Sequence, residues 1–367
     1  MTTVAEARRK RLAEAMREQD LDLLVVYGNA WQNDYLRYAT DFGILEGEAL
    51  ALVRRDGATT LYLDSDVEAE RAGVEAQVDV VHAPSMLEDV EAFLARAGNS
   101  RIGTAPKRLV PQRIAARSRD LGATDATTLM DHLLMVKLDP EIAAMRAAAH
   151  MADEGYAVFK NAAREGRADY ELVAEVEEFF RAKGVDDNFM IIGVGGKDVR
   201  GMAPPMGKRL KKGDLVTTEL TPCINGYYLQ ICRTLVVGEP SAEQHAVFGV
   251  YREALEAGVA AVRPGVTAAD VARAENEVFR RYGLGDYVTD KYTRVRGHGL
   301  GLFVDTKPHI LENVPTKIEA GMTMIVHPNT YHPAVGYMVL GDAVIVTDEG
   351  ADVLIKTPRE LFSVGAG

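Results

Sequence analysis

Asp214–Thr234, DLVTTELTPCINGYYLQICRT, consists of two β-rich runs on either side of Asn225-Gly226. Asn-Gly between such runs is the strongest short hairpin signal, because the favoured two-residue turn needs positive φ at both central positions. Pairing Ile224 with Tyr227 predicts Thr221 opposite Gln230 and Glu219 opposite Cys232. Side chains alternate along a strand, so Glu219, Thr221, Cys223, Tyr228, Gln230 and Cys232 should share one face.

Three further motifs follow in order. They are Gly297-His298-Gly299-Leu300-Gly301, Gly321-Met322 with Val326-His327-Pro328, and Gly341-Asp342-Ala343-Val344-Ile345-Val346-Thr347. Together with Gly213-Asp214, Gly226-Tyr227 and Arg233-Thr234 they resemble the frame of the pita-bread hydrolases: methionine aminopeptidases, Xaa-Pro peptidases and creatinase. In that family two divalent metals are held by four carboxylates and one histidine. By this resemblance the five ligand positions fall on Glu219, Gln230, His298, His327 and Gly341, and only His298 is retained.

The resemblance covers the whole chain and implies an α/β protein. A smaller α/β creatinase-like domain over 1–138 would precede an α+β pita-bread domain over 139–367, built on a curved antiparallel sheet. The residues agree with that division. Residues 1–135 alternate apolar strand runs, such as Leu23–Tyr27 and Ala49–Val53, with helical stretches, as a mixed sheet requires. A long helix then begins at Asp139-Pro140, with Asp139 suited to the cap and Pro140 to the first turn. Helices are expected over 140–163, 169–183, 242–262 and 268–282, and a strand over 189–194 precedes the hairpin. In the first domain, Asn29 and Tyr38–Phe42 are loosely similar to a family pattern.

Composition excludes several functions. The chain has 367 residues, 47% hydrophobic and 26% charged, an ordinary globular balance with room for two domains. A net charge of -12 leaves no basic stripe for a phosphate backbone, which argues against nucleic acid. No run is long enough to span a bilayer. The N-terminal stretch mixes Glu6, Glu14 and Glu18 with arginines, unlike a targeting peptide. Two cysteines make no disulfide framework, so a reduced, cytoplasmic protein is expected.

Chemistry is expected at the former metal cavity. A neutral amide, an imidazole and a glycine replace three anionic ligands, which argues against a metal pair. One divalent metal at Glu219, His298 and His327 is the alternative, since two imidazoles and a carboxylate suit zinc or non-haem iron. Without metal, His298 and His327 would be the acid/base centre, with Glu219 as base or anionic partner. Asp305 stands where the family has another histidine and would orient or protonate. Gln230 and Tyr228 would position substrate. Met202 replaces the histidine that creatinase uses as acid/base, and Cys232 replaces a creatinase glutamate. Cys232 is either a nucleophile or inert filling, and Met202 either a contact or packing. Gly193-Val194-Gly195-Gly196 lacks the third glycine of a dinucleotide fingerprint.

In creatinase the partner subunit presents an arginine to the substrate carboxylate from the region corresponding to FGILEGEAL. Here that loop offers Glu46 and Glu48 instead. The resemblance therefore implies a homodimer whose small-molecule substrate carries a cationic group. The leading expectation is a metal-independent, creatinase-like hydrolase or lyase acting at a C–N bond of a small nitrogenous compound, with no cofactor. The alternatives are a mononuclear-metal Xaa-Pro peptidase-like hydrolase and a non-catalytic pita-bread binding protein.

Overall fold

The computed structural model describes residues 3–365. The chain divides into two compact units, Met1–Leu134 and Met135–Gly367.

The first unit is built on a six-stranded mixed sheet. Its order is Asp79–His82, Thr59–Leu63, Glu48–Arg54, Leu23–Asn29, Ile102–Ala105, Thr124–Asp125. The central strand Leu23–Asn29 runs antiparallel to Glu48–Arg54 and parallel to Ile102–Ala105. Leu23, Val25 and Tyr27 pack with Met86, Val90, Leu94 and Ile114 in one core cluster, and the alternating Leu24 and Val26 are fully buried as well. Burial on both faces is why this strand reads as an unbroken apolar run.

Among the described residues the second unit has two five-stranded, antiparallel-dominated sheets, a two-stranded ribbon of Thr330–His332 with Gly336–Met338, and two helix pairs, in keeping with the pita-bread expectation. One sheet runs Phe362–Val364, Ile231–Val237, Leu215–Ile224, Asp187–Gly195, and Tyr227–Tyr228 pairs back onto Leu215–Ile224. The other runs Thr306–His309, Gly297–Gly299, Thr323–Val326, Asp342–Thr347, Gly350–Val353. An isolated bridge between Cys232 and Gly341 joins them. The helices are Asp139–Ala162 with Asp169–Ala182, and Ala242–Ala261 with Ala268–Arg281. The second pair supplies Phe248, Tyr251, Leu255, Val271 and Phe279 to a core shared with Met324, Val326 and Val344.

The hairpin has the expected register: Ile224 faces Tyr227, Cys223 faces Tyr228 and Glu219 faces Cys232. Asn225 and Gly226 have φ of 51° and 79°, the left-handed pair such a turn needs. The ladder is interrupted at Leu229 and Gln230, between the two paired segments. One cap differs from expectation. Leu138, not Asp139, is the N-cap of the long helix, because the Glu141 carboxylate accepts the Leu138 N–H at 2.8 Å.

Candidate active site

The hairpin and the second sheet bring the motif residues to one cavity of about 630 Å³. Glu219 and Gln230 enter from the hairpin, His298 from Gly297–Gly299, and His327 from the end of Thr323–Val326. The glycines around His298 are a steric requirement. A Cβ at Gly297 would lie 2.2 Å from the Ile325 carbonyl oxygen, and one at Gly299 would lie 2.0 Å from that of Lys307. The histidine strand is squeezed between two neighbours, so only its imidazole can project.

The two imidazoles meet edge to face with centroids 5.4 Å apart. His298 Nδ1 lies 3.0 Å from the Gly299 carbonyl oxygen. A carbonyl only accepts, so Nδ1 carries the proton and Nε2 keeps its lone pair. His327 Nδ1 is buried with no hydrogen-bond partner among the described residues. Burial drives the His327 pKa down to about 3, with His298 adding to the effect. Burial also lowers His298, against the opposing pull of Asp305. Both rings are therefore neutral at physiological pH.

Burial pushes the Glu219 carboxyl up to about 7, while hydrogen bonds from Asn329, Cys232 and Gln230 pull the other way. Burial also raises the Cys232 thiol well above its ordinary value, and Glu219 reinforces this. Cys232 does not line the cavity, and its sulfur lies 3.5 Å from Gln230 Nε2. Its burial and raised pKa are those of a packing group, which is what an unactivated thiol becomes.

The remaining expected residues separate. Met202, Gln230 and Asp305 line the cavity. Asp305 Oδ1 bonds His309 Nε2 at 2.9 Å and lies 4.0 Å from His298 Nδ1, and Oδ2 receives Arg294 at 2.7 Å. Desolvation would raise Asp305, but these partners hold it below the usual carboxylate range. Asp305 thus orients His309 more directly than His298. Tyr228 is not a lining residue; its hydroxyl donates to Asp187 at 2.8 Å. Glu46 and Glu48 belong to the first unit, where Ser65 donates to Glu46 and Tyr27 donates to Glu48.

Several polar groups of the site were not anticipated. Asn329 donates to Glu219 Oε1 at 2.9 Å, and Tyr337 and Arg200 also line the cavity. Asn329 stands two residues beyond His327, a proximity that gives a single sequence no chemical signal.

The chain belongs to metallopeptidase family M24, whose pattern matches residues 143–348, and the creatinase/prolidase N-terminal domain matches residues 8–147. A Xaa-Pro dipeptidase of Pyrococcus furiosus is 29% identical over 86% of this chain and 89% of its own. The structure of a Xaa-Pro dipeptidase from Bacillus anthracis is 26% identical, with a TM-score of 0.84 over 98% of this chain and 100% of that one. A prolidase from Pyrococcus horikoshii shares the fold, with a TM-score of 0.84 at 24% identity over 97% of this chain and 99% of that one.

Membership in this family makes the chain a hydrolase of C–N bonds. It also overturns two expectations. The metal-independent, creatinase-like reading gives way to the Xaa-Pro peptidase-like alternative, and the expectation of no cofactor gives way to a divalent metal.

The residues at the family's ligand positions do not supply the anionic set that two ions would need. Among the described residues no three His, Cys, Asp or Glu side chains stand grouped to hold a metal ion, and Glu219 accepts from Asn329. By donor type, however, the family's ligand positions that line the cavity include the imidazoles of His298 and His327 and the carboxylate of Glu219, donor types that suit a single catalytic ion. The unpartnered His327 Nδ1 is the buried polar atom that such a ligand would satisfy.

Proposed function

We propose that this chain is a Xaa-Pro peptidase-like hydrolase of small peptides, using a single divalent metal. The observation that carries the reading is the grouping of Glu219, His298 and His327 on one cavity within an M24 frame. These three residues would hold the ion, which when bound supplies Lewis acidity and an activated water. The chain's own groups do the rest. His298 keeps a fixed tautomer through Gly299, and Gln230 and Asn329 present amides to the cavity. Met202, in place of a histidine, removes one proton-transfer group from the wall.

The mouth bears Arg200, Lys291 and Arg294 with Asp290. Arg200 lies over the Tyr331 ring at 4.8 Å and Lys291 over Tyr292 at 5.0 Å. This favours a substrate with a carboxylate at the mouth over the cationic one expected from Glu46 and Glu48.

The test is release of proline from Xaa-Pro dipeptides by the purified protein with added manganese, cobalt or zinc. Metal-dependent hydrolysis is expected, and no hydrolysis of any dipeptide with any ion would overturn the reading. The homodimer is part of the same proposal, supported by the family resemblance, and a monomer in sedimentation at micromolar concentration would refute it. A reducing, cytoplasmic setting is supported by two free buried cysteines, Cys223 and Cys232. No helix among the described residues is long and apolar enough to cross a membrane.

A further inference from the structure

The first unit has a cavity of its own, of about 390 Å³, lined only by residues between 22 and 100. It opens at one end of the central strand, where Leu23 pairs with Arg54, beside the C-terminal end of helix Met86–Ala95. Leu23, Phe93 and Ala97 give it an apolar lining. Leu23 is 4% exposed, and Phe93 and Ala97 are half-buried against the core cluster beneath.

The charges around this lining divide into two groups. Asp20, Asp22, Arg55 and Arg101 form a closed network. Asp22 Oδ1 accepts from Arg55 Nη1 at 3.0 Å and from Arg101 Nη2 at 3.1 Å, and its Oδ2 accepts from Arg101 Nε at 3.1 Å. Asp20 accepts from both arginines. Two carboxylates and two guanidinium groups cancel. Arg54 and Arg96 stand outside this network. Both line the cavity and are exposed, and among the described residues neither side chain has a carboxylate partner or a hydrogen bond. Their neighbours Arg55, Arg101 and Arg113 each hold carboxylates. The two free guanidinium groups act on one phenol. Burial raises the Tyr62 pKa, and Arg54 and Arg96 both pull against it, with Asp89 on the side of burial.

Nothing lining the cavity neutralises the pair. Asp22 is taken up by the network, and Asp56 alone remains, its Oδ1 accepting the Ala58 N–H at 3.0 Å. Two free guanidinium groups against one carboxylate leave one positive charge at the cavity, in a chain whose net charge is -12. The adjoining helix end does not compete for these donors. The carbonyls of Phe93, Leu94 and Ala97 already accept the N–H groups of Arg96, Ala97 and Ser100. An apolar lining with a few convergent polar groups is the usual composition of a small-molecule site, and the guanidinium fork matches a carboxylate.

We propose that this cavity binds a small organic carboxylate with an apolar body. The carboxylate lies between Arg54 and Arg96, and the body covers Leu23, Phe93 and Ala97. A single negative charge on the ligand complements the single positive charge of the site. The site is built within the first unit alone and does not depend on the peptidase reading.

Calorimetric titration of the full chain with phenylacetate tests this, with phenylacetamide and acetate as controls. The titrations are made on Arg200→Gln, so that a carboxylate held by Arg200 at the mouth of the other cavity does not contribute. Saturable binding of phenylacetate is expected, with the amide and acetate each weaker by about tenfold or more, because the first lacks the charge and the second the apolar body. Adding Arg54→Gln or Arg96→Gln should weaken phenylacetate by about tenfold or more. Both side chains are exposed, so thermal unfolding should stay at that of the Arg200→Gln protein. Absence of saturable binding overturns the proposal. So does equal affinity for the amide or for acetate, or an affinity unchanged by either arginine substitution.

Discussion

Two buried polar clusters lie side by side in the second unit, and they differ in how completely their hydrogen bonds are met. Around Arg233 every donor is used. Its guanidinium reaches Asp342 Oδ1 at 2.7 Å and the carbonyls of Gly341, Cys232, Thr357 and Pro358, and Arg359 closes on Asp342 Oδ2 at 2.6 Å. Beyond the Cys232–Gly341 bridge, His327 Nδ1 has no hydrogen-bond partner among the described residues, Glu219 is pushed up by burial, and a cavity opens. The saturated cluster holds the two sheets in register, while the unsaturated one is left free to receive a ligand. Here full satisfaction goes with scaffold, and incomplete satisfaction beside an open cavity goes with a site.

The contrast predicts opposite outcomes for similar substitutions. Arg233→Ala leaves Asp342 short of its buried partner and should cost about 3–5 kcal/mol in urea unfolding. Glu219→Gln, by contrast, removes a carboxylate whose charge burial disfavours and keeps the acceptor for Asn329. Its unfolding midpoint, measured metal-free, should equal or exceed wild type. Equal destabilisation by the two would erase the distinction. Next in size, His298→Ala should lower turnover by about a hundredfold or more, while thermal unfolding moves far less than for Arg233→Ala. Turnover near wild type would place the chemistry off this wall.

Glu275 sharpens the comparison from a third position. It is fully buried, both carboxylate oxygens lack a hydrogen-bond partner among the described residues, and it lines no cavity described here. Burial raises its pKa well above 4.5, although Arg296 opposes the shift. Between the unfolded value and the raised folded one, the folded state binds the extra proton. Wild-type stability therefore falls as pH rises through that window, by up to about 1.4 kcal/mol per pH unit. Glu275→Gln cannot titrate, so its melting temperature should gain on wild type as pH rises above 4.5. A constant difference across pH would show that Glu275 does not titrate differently on folding.

Much of this was legible in the chain. Asn225-Gly226 specified the turn and hence the register of Glu219 with Cys232, because turn chemistry and alternation are local. The long helices were legible from their apolar periodicity. Short elements were not: helix Asp34–Thr40 spans 7 residues, too few for a period, and six of them are buried. Site residues divided the same way. His298 and His327 could be placed because their motifs could be, whereas Tyr228 shares the hairpin's parity but its hydroxyl turns to Asp187.

By itself the sequence determined the order of elements, the hairpin register and the presence of a hydrolase frame with most ligand positions replaced. These are properties of neighbours in the chain. Only the tertiary structure decided what the replacements mean together. Glu219 and Asn329 are 110 positions apart, as are Thr221 and Tyr331, yet only the first pair is joined by a hydrogen bond at 2.9 Å. A Cβ at Gly341 would lie 2.7 Å from His327 Cβ at the end of the neighbouring strand. Side-chain volume and hydrogen-bond geometry act through space, so the donors that remain for a metal became countable only when the sheets were closed around them.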